Sequence, residues 1–246
     1  MRMRNAIFTA CFAALSLVSA SAWATVDVIL SNITAEWFNQ VPVAGVTITN
    51  GSPTSSIRWG TPAGAGQSGY DFTPVTPSVT FTLLPPVNSD PENLGLFNHL
   101  NFPITGVLLQ SVELRITADI KVDNVDQGMH SFVFDFTHDE TPNVAPCPFG
   151  TAAQNTPPCA DKVTVSHVTT SENFTVNGVQ YTLDILGFSQ GGPIVDEFIT
   201  IENSNNEANL FAVVRTATVP VPEPASLALV GLALLGVVGF MRRKLN

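Results

Sequence analysis

The chain has 246 residues, with 20 Asp and Glu against 10 Lys and Arg and a formal net charge of -10. That acidity argues against nucleic acid and anionic lipid as partners and is compatible with bound cations or with simple solubility. The length admits one well-buried domain between two short terminal segments.

In chain order, Arg2 and Arg4 give a positive start, residues 6–18 form an apolar run broken only by Thr9 and Ser16, and Ala22-Trp23-Ala24 is a small-x-small cleavage site. This pattern predicts an export signal peptide over residues 1–24, with a mature chain beginning at Thr25. Cys11 falls inside the apolar run and belongs to the discarded peptide. Removing both ends takes away Arg2, Arg4, Arg242, Arg243 and Lys244, which leaves five basic residues against twenty acidic ones, a net charge of -15.

The body, residues 25–218, is rich in Thr, Val, Phe, Asn, Gly and Pro, a composition of strands and turns. Strand-like runs fall at residues 26–33, 46–49, 79–84, 111–122, 163–168, 198–202 and 210–216. The clearest is 111–122, where Val112, Leu114, Ile116, Ala118, Ile120 and Val122 alternate with polar residues, so one face is buried and the other wet. A turn over residues 123–128 leads into a strand with Phe132, Phe134 and Phe136 on one face. Asn177-Gly178 marks a hairpin that pairs Val176 with Val179 and Phe174 with Tyr181. No body segment sustains a helical period, and no internal repeat is visible. The prediction is an all-β, two-sheet antiparallel β-sandwich, jelly-roll-like in strand number.

Cys147 and Cys159 are the only cysteines of the mature body, with prolines between them. In an oxidising compartment so close a pair predicts a disulfide that pins a loop. A Pro-rich linker, residues 219–225, contains Val221-Pro222-Glu223-Pro224. Residues 225–241 then carry a single polar side chain, Ser226, and Arg242, Arg243 and Lys244 follow as a basic stop. A helix of that length is about 25 Å long, the short end of what spans a bilayer, and the basic end favours the cytoplasmic side. Residues 226–246 are therefore expected to form a transmembrane helix with a basic end.

This Pro-Glu-Pro, short apolar run and basic end resemble the PEP-CTERM sorting signal. That resemblance implies an exosortase-type sorting machinery as partner, and a membrane-anchored precursor that is passed to the cell surface or beyond. Local patterns of the body also resemble the THxN family and the choice-of-anchor K domain. They are Ile57-Arg58-Trp59-Gly60, Ser68-Gly69-Tyr70-Asp71-Phe72, the segment from Leu94 through His99 and Asn101 to Ile104, the segment from Phe134 through His138 to Asn143, Cys159-Ala160-Asp161, and the segment from Val176 to Leu183. Asn98 stands where that family's motif has threonine. The resemblance implies a fold and a destination, and no chemistry.

Four groups of residues are candidates for function. His138, with Asp139 and Glu140, combines an imidazole with carboxylates, which suits metal ligation or proton transfer, although a polar turn over residues 137–143 explains the same residues. His99 stands in a second aromatic run, and His99 and His138 are both placed where they can meet. Asp119, Asp123 and Asp126 crowd one hairpin at a spacing that holds calcium in weak extracellular sites, without the twelve-residue loop and closing glutamate of an EF-hand. Trp59 and Tyr70, with Trp37 and Tyr181, are candidate sugar platforms, or core residues.

Gly64 to Gly69 matches a dinucleotide fingerprint without the strand and helix that it requires. No Gly-x-Ser-x-Gly elbow occurs. The expected function is that of an exported, non-enzymatic protein of the envelope or exopolysaccharide matrix. The alternative is a carbohydrate- or ligand-binding module, calcium-dependent in one version.

Overall fold

The structure, a computed structural model, describes residues 24–84, 87–150, 156–167 and 172–218. The signal peptide (apart from Ala24), the Pro-rich linker and the apolar tail lie outside them. Among the described residues the regular elements are all strands, and every pairing is antiparallel.

One sheet has six strands. From edge to edge they are β14 (Glu197–Thr200), β11 (Asp161–His167), β10 (Val125–Asp139), β9 (Ser111–Val122), β1 (Val26–Val41) and β6 (Ser78–Leu83). The other has seven: β12 (Asn173–Val176), β13 (Val179–Ser189), β15 (Ser204–Thr218), β7 (Glu92–Asn101), β5 (Gly69–Pro74), β3 (Ser55–Trp59) and β2 (Val46–Thr49). A two-stranded ribbon joins β4 (Thr61–Pro62) to β8 (Ile104–Thr105).

The inner faces close on one apolar core. Val112, Leu114 and Ile116 of β9 and Phe132, Phe134 and Phe136 of β10 are buried on one side, and Phe97, Tyr70, Leu183 and Leu210 on the other. Phe136 and Phe97 stack between the sheets at 5.5 Å, and Trp37 reaches Tyr70 at 5.7 Å. Each such aromatic contributes roughly 2–3 kcal/mol by leaving water. The resulting architecture is sandwich-like, as the alternation in residues 111–122 predicts, and β9 keeps that alternation over its whole length.

Several elements differ from the sequence-based expectation, for physical reasons. β1 does not stop at residue 33. Asn32 takes a left-handed conformation (φ 50°), and the register against β9 shifts between Ser31 and Thr34. The bulge moves the inward positions from Val28 and Leu30 to Ala35 and Trp37, so a single period of two cannot follow the strand across it.

The turn expected over residues 123–128 is shorter. Asp123 and Asn124, at φ 49° and 64°, make a two-residue turn, and Gly128 (φ 83°) accommodates a bulge in β10 beside it. β3, β5 and β7 were not among the expected strand runs, because Gly, Asn and Arg interrupt their apolar pattern. In β7, Gly95 faces the Thr73 carbonyl so closely that a Cβ would collide with it. The Asn177-Gly178 hairpin forms as expected, with Val176 opposite Val179 and Phe174 stacked on Tyr181 at 5.4 Å.

Candidate functional site

Toward one end of the core, the inward positions of four strands change from apolar to polar. On β10 the buried series Phe132, Phe134, Phe136 continues with His138, and Glu140 follows just beyond the strand. On β7, Phe97 is followed by His99 and Asn101. On β11, Asp161 stands ahead of Val163 and Val165, and on β14 Phe198 is followed by Thr200, with Glu202 beyond. Cross-strand pairing sets them side by side: His138 opposite Val163, Asp161 opposite Thr200, and Tyr70 opposite His99. His138 is thus a core-facing strand residue and not part of a polar turn, because β10 runs past Phe136 to Asp139.

The four aromatic candidates with a ring nitrogen or hydroxyl at this end meet. His99 and His138, one from each sheet, have ring centroids 5.1 Å apart and perpendicular. Trp59 lies 5.9 Å from His99 and 5.1 Å from His138, and Tyr70 lies 5.0 and 5.7 Å from them. Trp59, Tyr70 and His99 have no solvent exposure.

Hydrogen bonds fix the group. The Thr200 hydroxyl donates to the Asp161 carbonyl oxygen at 3.3 Å. Its oxygen is then left to accept, at 2.9 Å, from His99 Nδ1, which assigns the ring proton to Nδ1 and leaves the Nε2 lone pair bare. The Asn101 amide donates to the Thr200 carbonyl oxygen at 3.2 Å. Tyr70 Oη is 2.6 Å from His138 Nδ1, and His138 Nε2 is 3.1 Å from Glu140 Oε2. Asp161 Oδ1 accepts the Thr141 backbone N–H at 2.7 Å.

Several buried atoms in this neighbourhood have no hydrogen-bond partner: His99 Nε2, Asp161 Oδ2, both Glu202 carboxylate oxygens, Asn101 Oδ1 and Trp59 Nε1. An orphaned buried polar atom costs roughly 1–3 kcal/mol, more when charged. The electrostatics agree. Burial, reinforced by Glu140, lifts the Asp161 carboxyl to about 7 against the opposing effects of His138 and the Thr141 N–H. Burial also lifts Glu202 to about 7, with Glu140 adding to it and Asn143 opposing it from a position that forms no well-shaped hydrogen bond. Burial pushes Tyr70 well above its usual range and, with His138, holds His99 well below its own. Among the described residues, the ion pairs of Lys and Arg all go to other carboxylates.

One donor atom each from His99, His138 and Asp161 lie within 4.8 Å of one another, and so do oxygens of Glu140, Asp161 and Glu202. Two imidazole nitrogens and the carboxylate of Asp161, common to both groups, can hold a cation there.

The remaining candidates have different surroundings. Asp119 Oδ2 accepts from the Asn32 amide at 2.8 Å, Asp123 Oδ1 from the Asp27 N–H at 3.0 Å, and Asp126 Oδ1 from the Gly128 N–H at 2.7 Å. These carboxylates are occupied in holding the β9–β10 hairpin and β1, and they do not converge on a point among the described residues. Trp37 and Tyr181, like Trp59 and Tyr70, are buried and present no platform at the surface.

Cys147 and Cys159 are joined in a disulfide, Cα to Cα 5.2 Å, as the spacing predicts. Thr141 Oγ1 donates to the Cys159 carbonyl oxygen two residues before Asp161, so the bridge also braces the site. Asp161, Thr200 and Glu202 were not singled out as site residues from sequence, although Asp161 and Thr200 each had a signal: a polar residue on the apolar parity of its strand.

In comparison with known proteins, residues 220–244 match the PEP-CTERM protein-sorting motif. The matched stretch contains Val221-Pro222-Glu223-Pro224 and ends at Lys244. It implies export, sorting to the cell surface and an exosortase-type partner. No curated protein matches the chain.

Proposed function

We propose that the protein is an exported, non-enzymatic component of the cell envelope or exopolysaccharide matrix, released from a membrane-anchored precursor through its C-terminal motif. The observation that carries the reading is the sorting motif over residues 220–244. In this reading residues 1–24 are removed on export, and residues 226–246 hold the precursor as a transmembrane helix until the sorting machinery acts. A strongly acidic, disulfide-braced sandwich suits an oxidising exterior. A surface depression lined by Phe188, Gln190, Pro193, Val195, Glu197 and Ile199 offers one acid, Glu197, and that acid pairs with Lys162 at 3.1 Å, which is poor equipment for catalysis.

The rival reading, a carbohydrate-binding module, needs a surface other than the four buried aromatics. The test is fractionation and mass analysis of the chain and of a Glu223→Ala, Pro224→Ala variant in a host that has the sorting machinery. The wild-type chain is expected at the surface without its tail, and the variant in the membrane with it. Equal surface delivery of both would remove the reading.

A further inference from the structure

Five side chains toward one end of the core, His99, His138, Glu140, Asp161 and Glu202, bring donor atoms together from both sheets in two groups that share Asp161, and His99 Nε2, Asp161 Oδ2 and both Glu202 oxygens have nothing to bond. We propose that His99 Nε2, His138 Nε2 and Asp161 Oδ2 bind one divalent transition-metal ion of the zinc class, with Glu140 as the fourth ligand. The arrangement of neighbouring bonds is what orients these atoms. The Thr200 hydroxyl holds the His99 proton on Nδ1, so that Nε2 faces the site as a lone pair. Thr141 takes Asp161 Oδ1 and leaves Oδ2 free. Tyr70 Oη, 2.6 Å from His138 Nδ1, accepts a hydrogen bond from the ring N–H when that proton is on Nδ1 and Nε2 turns its lone pair to a metal. Metal-ligating histidines are characteristically fixed in this way through their second nitrogen.

The distances suit the ion. Donors within 4.8 Å of one another surround a centre that bonds at about 2.0–2.2 Å after small adjustments. With the ring proton on Nδ1, His138 Nε2 and Glu140 Oε2, 3.1 Å apart, both offer lone pairs and fit as neighbouring ligands. Two imidazole nitrogens exclude a calcium or magnesium site, since those ions take oxygen ligands. Both cysteines of the described body are in the disulfide and cannot compete. Glu202, with neither oxygen bonded, adds negative charge beside the ligands.

The test uses the untagged full chain, stripped with a chelator and titrated separately with Zn²⁺ and Ca²⁺. Bound metal is counted by mass spectrometry and the melting temperature followed in parallel. The expected result is one Zn²⁺ per chain, a rise in melting temperature, and no displacement by Ca²⁺. Asp161→Asn and His99→Gln should each weaken Zn²⁺ binding by about 100-fold or more. His130→Ala, whose histidine lies elsewhere beside Glu172, should leave it unchanged. The proposal is overturned by absence of stoichiometric Zn²⁺, or by binding that survives both ligand variants. Should those variants fail to fold, Co²⁺ in the wild-type chain decides: a visible spectrum of low-coordinate nitrogen and oxygen ligation supports the site, and the spectrum of aqueous Co²⁺ overturns it.

Discussion

The chain has two acidic clusters, and they behave in opposite ways. Asp119, Asp123 and Asp126 are close in sequence and lie on an exposed hairpin, where each accepts a hydrogen bond from a backbone N–H or an amide. Glu140, Asp161 and Glu202 are scattered over more than sixty residues of sequence and gather in the interior, where Asp161 and Glu202 keep oxygens without partners. Density of acids along the sequence therefore marks a turn, and burial without partners marks a candidate site. An exposed carboxylate that caps its own backbone has reached its resting arrangement, whereas a buried and unpaired one destabilises the fold unless a proton or a cation joins it.

The largest effect expected is on the floor that carries the inner cluster. Phe136 packs against Trp37, Phe97 and Phe188 directly below His138. Phe136→Ala should destabilise the chain by about 3–5 kcal/mol in urea unfolding. A loss under 1 kcal/mol would mean that the inner polar end does not rest on a packed core. Next is the disulfide. Replacing Cys147 and Cys159 by Ser should cost about 3 kcal/mol in the chain-entropy model and weaken Zn²⁺ binding through Asp161, while the amide signal of Gly128 in the outer hairpin stays put.

A smaller effect has the opposite sign. Asp161→Asn keeps an oxygen for the Thr141 N–H and removes the charge. Folded Asp161 titrates near 7 and an ordinary aspartate near 3.8, so between these values the folded metal-free chain binds more protons than the unfolded one. Its contribution to stability is complete below about pH 4 and is lost as pH rises through about 7. Metal-free Asp161→Asn should accordingly match the wild type near pH 4 and exceed it at pH 8 by on the order of 1 kcal/mol or more. A variant less stable than the wild type at pH 8 would contradict the unpaired state of this carboxylate. The smallest effect belongs to the outer cluster: Asp126→Ala, which removes the cap on Gly128, should cost about 1 kcal/mol with little dependence on metal.

Most of the fold was legible where period two is unbroken, as in β9, β2 and the Asn177-Gly178 hairpin. It was illegible where bulges shift the parity, as at Asn32, and where glycine permits close strand approach, as at Gly95. For the site, the meeting of His99 and His138 was foreseeable because each follows a phenylalanine two residues earlier on the same face. Asp161 and Glu202 were harder. A single acid beside valines or after a phenylalanine reads as a strand end, and only the pairing of β11 with β14 brings Asp161 beside Thr200. The sorting motif over residues 220–244 was readable because its signal is local order along the sequence and needs no tertiary contact.

The most direct measurement is the Zn²⁺-induced shift in melting temperature for three full chains: wild type, Asp161→Asn and Asp123→Ala. Equal shifts for wild type and Asp123→Ala, with none for Asp161→Asn, are predicted. A shift that is lost in Asp123→Ala and kept in Asp161→Asn would place the cation on the exposed hairpin and contradict the account.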